Sequence, residues 1–200
     1  MSNEIRSLTN GQFEIRSNKQ GQKTLSGYLA VYGQRSVDLG NFTEIIHRGA
    51  FNGSMGGDIR LLVNHNWDKP LARTTSGTLQ LRDDDTGLGF TATMPNTTYA
   101  NDLIESLSRG DISGCSFGFT CNDDDWSQDE VNGVTRTLRD VTLHEGSIVT
   151  ALPAYPQTFV SLRSAPEAIK ALLAPEDNGA LLAVLSAKRK IFRSFGSELK

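Results

Sequence analysis

A single serine, Ser116, lies between two glycines in a segment that reads as a short strand. At the strand period of two, Ser116 shares a nearly bare face with Gly114 and Gly118. The opposite face is apolar and is expected in the core; it consists of Cys115, Phe117 and Phe119. Glycine inside a strand often marks the close approach of a ligand or a second backbone. An extended peptide is therefore able to reach the Ser116 hydroxyl, unless the strand merely crosses another one and the serine is structural.

A serine nucleophile needs a base within hydrogen-bond reach, and that base needs a group that orients it. The chain contains three histidines, His47, His65 and His144. His65 ends a predicted strand whose inward residues are apolar, and strand ends are where a barrel leaves open clefts. His47 has polar neighbours and is expected at the surface. An isolated histidine at position 65 also fits a purely structural role, so the residues alone leave both interpretations open.

Glu145 and His144 are adjacent, so a regular strand directs their side chains to opposite sides. Glu145 shares the parity of Val141 and Leu143, which predicts a carboxylate beside the core. A carboxylate in that environment needs a partner, and an imidazole is a suitable one. His144 falls in a polar row and is expected in solvent. A bulge at Gly146 would change this parity.

The sequence offers little support for other chemistry. No pair of histidines has metal-ligand spacing with a third ligand, so we predict no metal site. The chain has no glycine-rich phosphate loop, and we expect no cofactor. It carries 20 basic and 23 acidic residues, a net charge of −3, without a basic stripe. That balance argues against a general nucleic-acid-binding protein.

Two cysteines and the polar start of the chain indicate the compartment. Cys115 and Cys121 fall on one predicted strand, about 20 Å apart at the rise of a strand, which is too far for a disulfide. A reducing compartment is the natural expectation. The first ten residues lack the apolar region of a signal peptide, and no apolar run approaches the ~20 residues of a membrane span. We therefore expect a protein that is not secreted and has no membrane partner.

Many short strands at regular spacing surround the candidate residues. They predict a mainly β (α+β) fold, an antiparallel β-barrel with flanking helices. Residues 122–133 are acidic and are predicted to form a solvated loop. The predicted strands cover residues 13–15, 25–32, 44–47, 59–65, 77–82, 87–94, 112–119, 134–143 and 145–150.

One helix is predicted inside the domain, over Thr97–Arg109, because its apolar residues follow the helical period and Gly110 can end it. Residues 1–10 are predicted to be a flexible arm, and residues 11–163 the main domain. Residues 164–200, which begin with a capping box, are predicted to be a helical appendage.

Five segments in order resemble the prohead (capsid maturation) proteases of HK97-type tailed bacteriophages. These are serine peptidases related in fold to the herpesvirus assembly proteases. Each segment is weak alone, and their order and spacing carry the resemblance. It implies a herpesvirus-assemblin-like fold, with residues 11–163 as the protease domain. The segments are residues 27–32, 44–51, 62–73, 114–119 and 143–154.

The resemblance implies a catalytic His65 and a catalytic Ser116. For the third member the phage family tends to have an acidic residue, here Glu145, whereas the herpesvirus relatives use a second histidine, for which His144 is present. The shared parity of Glu145 with Val141 and Leu143 favours Glu145. The oxyanion donors are expected among a backbone N–H near Phe117 or an arginine such as Arg73.

The activity that the resemblance implies is that of a serine endopeptidase of prohead maturation. Its implied substrates are scaffold segments of the major capsid protein and the protease itself, which is also the implied partner in a homo-oligomer, inside the prohead within the host cytoplasm. Two other functions fit the sequence. One is a non-catalytic capsid scaffold or assembly protein on the same fold, and the other is a β-barrel binding module in which Ser116 is structural.

Overall fold

The computed structural model describes residues 3–8, 13–19 and 21–150. These residues form ten strands, one α-helix and a 3₁₀ turn at Asn52–Ser54. The helix α1, Thr98–Arg109, lies between the eighth and ninth strands. The strands are β1 Glu4–Leu8, β2 Glu14–Ser17, β3 Lys23–Val31, β4 Thr43–Ile46, β5 Arg60–Val63, β6 Asn66–Arg73, β7 Leu79–Asp83, β8 Gly87–Thr93, β9 Gly114–Asp129 and β10 Gly133–Val149.

The strands form two sheets with one core. The six-stranded sheet has the order β1-β9-β10-β5-β6, with β4 also paired to β10, and the four-stranded sheet has the order β2-β3-β8-β7. Burial of apolar side chains from both sheets and from α1 in one cluster is the main force that holds them together. The largest fully buried side chains include Phe51, Phe90, Phe117, Phe119, Leu25, Leu29 and Ile148.

The mainly β class is confirmed, but the described strands form two sheets and not one closed antiparallel barrel. In addition, β4 and β5 both pair in parallel with β10, along the edge of β10 that faces away from β9. Parallel neighbours require long crossover connections. A pattern read along the chain shows where strands lie but not which distant strands they meet, so it does not reveal these crossovers.

The loop predicted at residues 122–133 is wrong, because β9 runs on to Asp129 and β10 starts at Gly133. Two of the charges that indicated a solvated loop are instead paired across this hairpin. Asp124 accepts from Arg136 at 2.9 Å, and Asp125 accepts from Arg139 at 2.8 Å. Opposite charges on neighbouring strands stabilise the pairing.

The predicted helix is confirmed within one residue at its start. Gly110 ends α1 with a φ of 79°, and its N–H bonds to the Leu107 carbonyl. The apolar stripe that predicted the helix is the buried face: Ala100, Leu103, Ile104 and Leu107. No helix in the described ranges is long and apolar enough to span a membrane.

The segment expected as a flexible arm, residues 1–10, contains β1. This strand pairs antiparallel with β9, from Glu4 opposite Phe119 to Leu8 opposite Cys115. The helical appendage predicted at residues 164–200 lies outside the described residues.

The buried Arg136 and the partly buried Arg6, which is part of β1, hold this strand in place. Arg136 donates to Glu4 at 2.7 Å and 3.0 Å and to Glu44 at 3.1 Å. Arg6 donates to Glu44 at 2.7 Å and to Glu4 at 2.7 Å. Asp124 completes this ion cluster through its bond to Arg136. Buried charges persist only when they are paired in this way.

The pairing in the ion cluster sets the ionisation of Glu4. Burial opposes the charged form of Glu4, but the bonds and charges of Arg136 and Arg6 outweigh it and hold its pKa below the ordinary value. A carboxyl with a lowered pKa contributes stability above its ordinary pKa and loses that contribution as the pH falls through the lowered one. The docking of β1 therefore contributes to stability at neutral pH.

Replacing Arg136 by methionine should destabilise the protein by about 3–5 kcal/mol, because the two buried carboxylates of Glu4 and Glu44 would then share Arg6 alone. The matched control is Arg139→Met, whose ion pair with Asp125 is largely exposed and should contribute no more than about 1 kcal/mol. Urea unfolding of both variants measures the difference. Equal losses would mean that the buried cluster is not what stabilises this part of the sheet.

Candidate active site

His65 is positioned by the tight turn that joins β5 to β6. Val63 pairs with Asn66, so Asn64 and His65 form a two-residue hairpin loop. Both have positive φ, 52° for Asn64 and 57° for His65. Hairpin turns of type I′ require positive φ at both central residues, and asparagine tolerates it well. Histidine with positive φ is uncommon, and such strained residues cluster at functional sites.

Contacts with the end of β10 hold this turn. The Asn64 amide donates to the Thr150 hydroxyl at 2.7 Å, and the Thr150 N–H donates to the Asn64 side-chain oxygen at 2.8 Å. The His65 N–H donates to Ser147 Oγ at 3.0 Å. Because two bonds of the Asn64 side chain and one bond of the His65 backbone anchor the turn, the imidazole has a defined place beside β10.

Glu145 meets His65 directly. His65 Nδ1 lies 2.7 Å from Glu145 Oε1, and the Glu145 side chain is 5% exposed. Its second oxygen, Oε2, accepts from Ser147 Oγ at 2.7 Å. The carboxylate lies over Gly118, where an added Cβ would come within 2.6 Å of Oε1. Gly118 therefore makes room for the carboxylate, and this explains the second glycine of the Ser116 segment.

A bulge at His144 decides which way Glu145 points. Leu143 lies opposite Phe119, whereas Glu145 lies opposite Gly118, so β10 uses one extra residue in this step. An extra residue reverses the alternation of side chains. Glu145 consequently leaves the core face of Leu143 and joins the face of Ser116. Glu145 is buried and bonded to an imidazole, as predicted. The predicted face that it shares with Leu143 was wrong because of this bulge, which lies two residues before the expected one at Gly146.

Ser116 lies on the same face of the sheet as Glu145. It is two residues along β9 from Gly118, the residue opposite Glu145. It is opposite Ser147 on β10 and opposite Ser7 on β1, so three serines form one row across three strands. Ser116 is completely buried. Its hydroxyl donates to the Arg6 carbonyl at 2.9 Å and accepts from the Ser7 hydroxyl at 3.1 Å. Within the described ranges, no direct hydrogen bond joins Ser116 to His65.

The remaining histidines lie apart from this row. His144 Nε2 bonds to the Thr120 hydroxyl at 2.7 Å and is half-buried, where solvent was expected. His47 is exposed, as predicted. Arg73, one of the oxyanion donors considered, is held by Asp58 through bonds of 2.6 Å and 2.5 Å.

The cysteine beside Ser116 does not compete as a nucleophile. Cys115 is free and buried, and burial raises its pKa well above the ordinary value. Burial likewise raises the pKa of Cys121 to about 12. Thiolates are the reactive form of cysteine, and both thiols stay protonated at neutral pH.

Sequence reasoning missed Ser147 and the residues of β1. Ser147 had a usable signal, because it follows Glu145 by two residues and so shares its face. The contact of Ser7 and Arg6 with Ser116 had no local signal, because it depends on the pairing of strands more than a hundred residues apart.

The arrangement can carry out general base chemistry. An ionised Glu145 can only accept a hydrogen bond, so the proton of neutral His65 resides on Nδ1. Nε2 is then free to accept a proton from a neighbouring group. A carboxylate that fixes the tautomer of a histidine beside a serine is the arrangement found in serine hydrolases.

Comparisons with known proteins identify the family of the chain. Residues 11–171 match the family model described as caudovirus prohead serine protease. The prohead protease of Enterobacteria phage HK97 is 24% identical over 174 residues, which cover 84% of this chain and 72% of the relative. Among solved structures, that of the bacteriophage T4 capsid assembly protease aligns with a TM-score of 0.48 and 10% identity, over 74% of this chain and 99% of the other.

The class of protein is thus a serine protease. The chain belongs to the caudovirus prohead serine protease family, because the family model matches well over half of its length. The family resemblance recognised in the sequence is confirmed.

Gly118→Ala should lower peptide cleavage at least tenfold while leaving the fold intact. The added methyl would lie 2.6 Å from Glu145 Oε1, so the carboxylate must move away from His65, and a displacement of about 1 Å in such a site costs up to about 10²-fold. Gly56→Ala is the matched control, since no atom of the described residues lies within 4 Å of its added Cβ. Cleavage rates and circular dichroism check both variants, and full activity of Gly118→Ala would contradict this role of the glycine.

Ser147→Ala should impair catalysis as well as stability, because Ser147 bonds both to the His65 N–H and to the Glu145 carboxylate. The matched control is Ser54→Ala. Ser54 is also buried, donates to the Val141 carbonyl at 2.9 Å and accepts from the Leu143 N–H at 2.8 Å.

Both serine variants should lose about 1–3 kcal/mol of unfolding free energy. Only Ser147→Ala should lower kcat and shift the pH profile of kcat/KM, since only Ser147 contacts the pair of His65 and Glu145. Identical kinetics in the two variants would reduce Ser147 to a structural residue.

Proposed function

We propose that this protein is a serine endopeptidase of phage prohead maturation that acts through Ser116, His65 and Glu145. The observation that carries the proposal is the bond of 2.7 Å between His65 Nδ1 and Glu145 Oε1 on the face that also bears Ser116, in the adjacent register position. Family membership supplies the class of reaction, and this contact supports the choice of residues.

In this mechanism Ser116 Oγ attacks the carbonyl carbon of the substrate peptide and its proton passes to His65 Nε2. Glu145 stabilises the imidazolium that forms and keeps its orientation. His65 then gives the proton to the leaving amine, and an acyl-enzyme remains on Ser116. A water molecule, deprotonated by His65, hydrolyses the acyl-enzyme and restores the serine.

The substrates we propose are scaffold segments of the major capsid protein, cleaved inside the immature shell in the host cell, and the protease itself. The name of the HK97 relative, a prohead protease, supports this assignment. A non-catalytic scaffold or assembly protein is the alternative. It gives no reason for a buried carboxylate to be held against a histidine with positive φ beside a serine.

Co-expression with the shell protein of the same phage tests the mechanism. Ser116→Ala should abolish processing of the shell protein, with a loss of at least about 10³-fold. Glu145→Gln should lose about 10²- to 10⁴-fold, since it no longer holds the imidazole in the required tautomer. Gel electrophoresis and mass spectrometry of the shell protein give the readout.

His144→Ala is the matched control for the third member, because His144 contacts Thr120 and not His65. It should retain at least half of the wild-type processing. Processing that survives Ser116→Ala would remove Ser116 as the nucleophile. Equal losses in Glu145→Gln and His144→Ala would undo the assignment of Glu145.

A further inference from the structure

We propose that the edge of β9 beside Ser116 is where an extended substrate segment binds, and that β1 occupies this edge as an internal block. The inference rests on the proposed role of Ser116 as nucleophile. It assigns a substrate class, an extended strand that adds to a sheet, and a latent state in which the chain fills its own site.

The topology leaves one edge of β9 for a substrate. One edge of β9 pairs along most of its length with β10, which supplies Glu145 and Ser147. Among the residues that the structure describes, the other edge pairs only with the five residues of β1. Extended peptides commonly bind by adding a strand to a free sheet edge, with side-chain pockets at alternate residues. A peptide that binds to β9 in this way must displace β1.

The register places β1 as such a peptide would lie. Ser7 is opposite Ser116 and Ile5 is opposite Gly118, so both side chains lie on the face of the candidate site. Ile5 is 40% exposed, so an apolar side chain lies at the surface beside the candidate site. The pattern suggests a substrate strand with a small polar residue opposite the nucleophile and an apolar residue two positions before it.

The contacts of β1 with Ser116 are those of a block and not of a substrate under attack. A carbonyl oxygen can only accept, so the Ser116 hydroxyl proton is directed at the Arg6 carbonyl. The same proton must point to His65 for Ser116 to be activated. The Arg6 carbonyl presents its oxygen to the hydroxyl, whereas attack requires its carbon. While β1 is in place, Ser116 is buried and its proton is engaged elsewhere.

The ion cluster of Glu4, Arg6, Glu44, Asp124 and Arg136 holds β1 in the blocking position. Glu4 and Arg6, on β1, bond to Arg136 and Glu44 on the body of the protein. If β1 leaves, Arg136 and Glu44 remain paired with each other at 3.1 Å. The body of the protein thus keeps a satisfied pair after release. Moreover, β1 precedes residues 11–171, the part that matches the family model.

A second pair of the same kind supplies the control. Glu14 and Arg16 on β2 have the same spacing as Glu4 and Arg6, and form an ion pair of 2.6 Å with side chains 57% and 75% exposed. Glu4→Lys places a cation against Arg136 and should release β1, and Arg6→Gln removes the bonds to Glu44. Glu14→Lys and Arg16→Gln change the same charges away from the site.

Labelling of the full-length protein by a fluorophosphonate probe, followed by mass spectrometry, measures access to Ser116. Glu4→Lys and Arg6→Gln should be labelled at least about tenfold faster than the wild type. Breaking a buried ion pair is expected to shift the equilibrium between bound and released β1 by more than that factor. The two β2 controls should match the wild type. A synthetic peptide of residues 3–8 should slow the labelling of Glu4→Lys, and the same peptide with lysine at position 4 should not.

The outcomes separate the two proposals. Equal labelling of Ser116 in the wild type and both β1 variants would overturn the block and leave the nucleophile in place. No labelling of Ser116 in any variant that keeps the wild-type circular dichroism spectrum would overturn both proposals. Release of residues 1–6 from the wild-type protein on incubation would show that β1 is a substrate, which also contradicts the block. An intact β1 is the expected result.

Discussion

The site depends on one irregularity in the pairing of β9 with β10. A single extra residue at His144 shifts the register between Leu143 and Glu145. Before the shift, side chains of β10 such as Leu143 pack into the core, and after it Glu145 and Ser147 lie on the face of Ser116. Without the bulge, strand alternation would direct Glu145 at the core and His144 at the serine. The identity of the acidic partner of His65 is therefore a property of the backbone register.

Around this bulge the protein combines a rigid side and a displaceable side. On the rigid side, the turn at Asn64 and His65 is tied to the end of β10, and Ser147 links the His65 backbone to the Glu145 carboxylate. On the displaceable side, β1 is a short strand at the edge of the described sheet, and ion pairs of Glu4 and Arg6 add to its pairing with β9. Ion pairs form and break without the loss of core packing, so a strand held by them can leave while the apolar core stays intact.

Burial also determines which side chains near the site can react. Cys115 is adjacent to Ser116 but faces the aromatic core, and its raised pKa keeps it a thiol. Gly118 lacks the side chain that would push Glu145 away. The candidate reacting groups thus lie on one face of the sheet. The alternate residues of the same strand lie on the other face and contribute to stability. A strand with a period of two achieves this separation within six residues.

Sequence alone determined the elements with a clear local pattern: the mainly β class, the stripe of α1 with Gly110 at its end, and the apolar row of Cys115, Phe117 and Phe119. It also indicated His65, Ser116 and Glu145 as candidates, through a family resemblance that the comparisons confirm. Tertiary structure alone decided the parallel pairing of β4 and β5 with β10, the extension of β9 through an acidic segment, and the bulge at His144. It also decided the position of β1 over Ser116. These features depend on contacts between distant strands, and local side-chain periodicity carries no information about which distant strand a residue will meet.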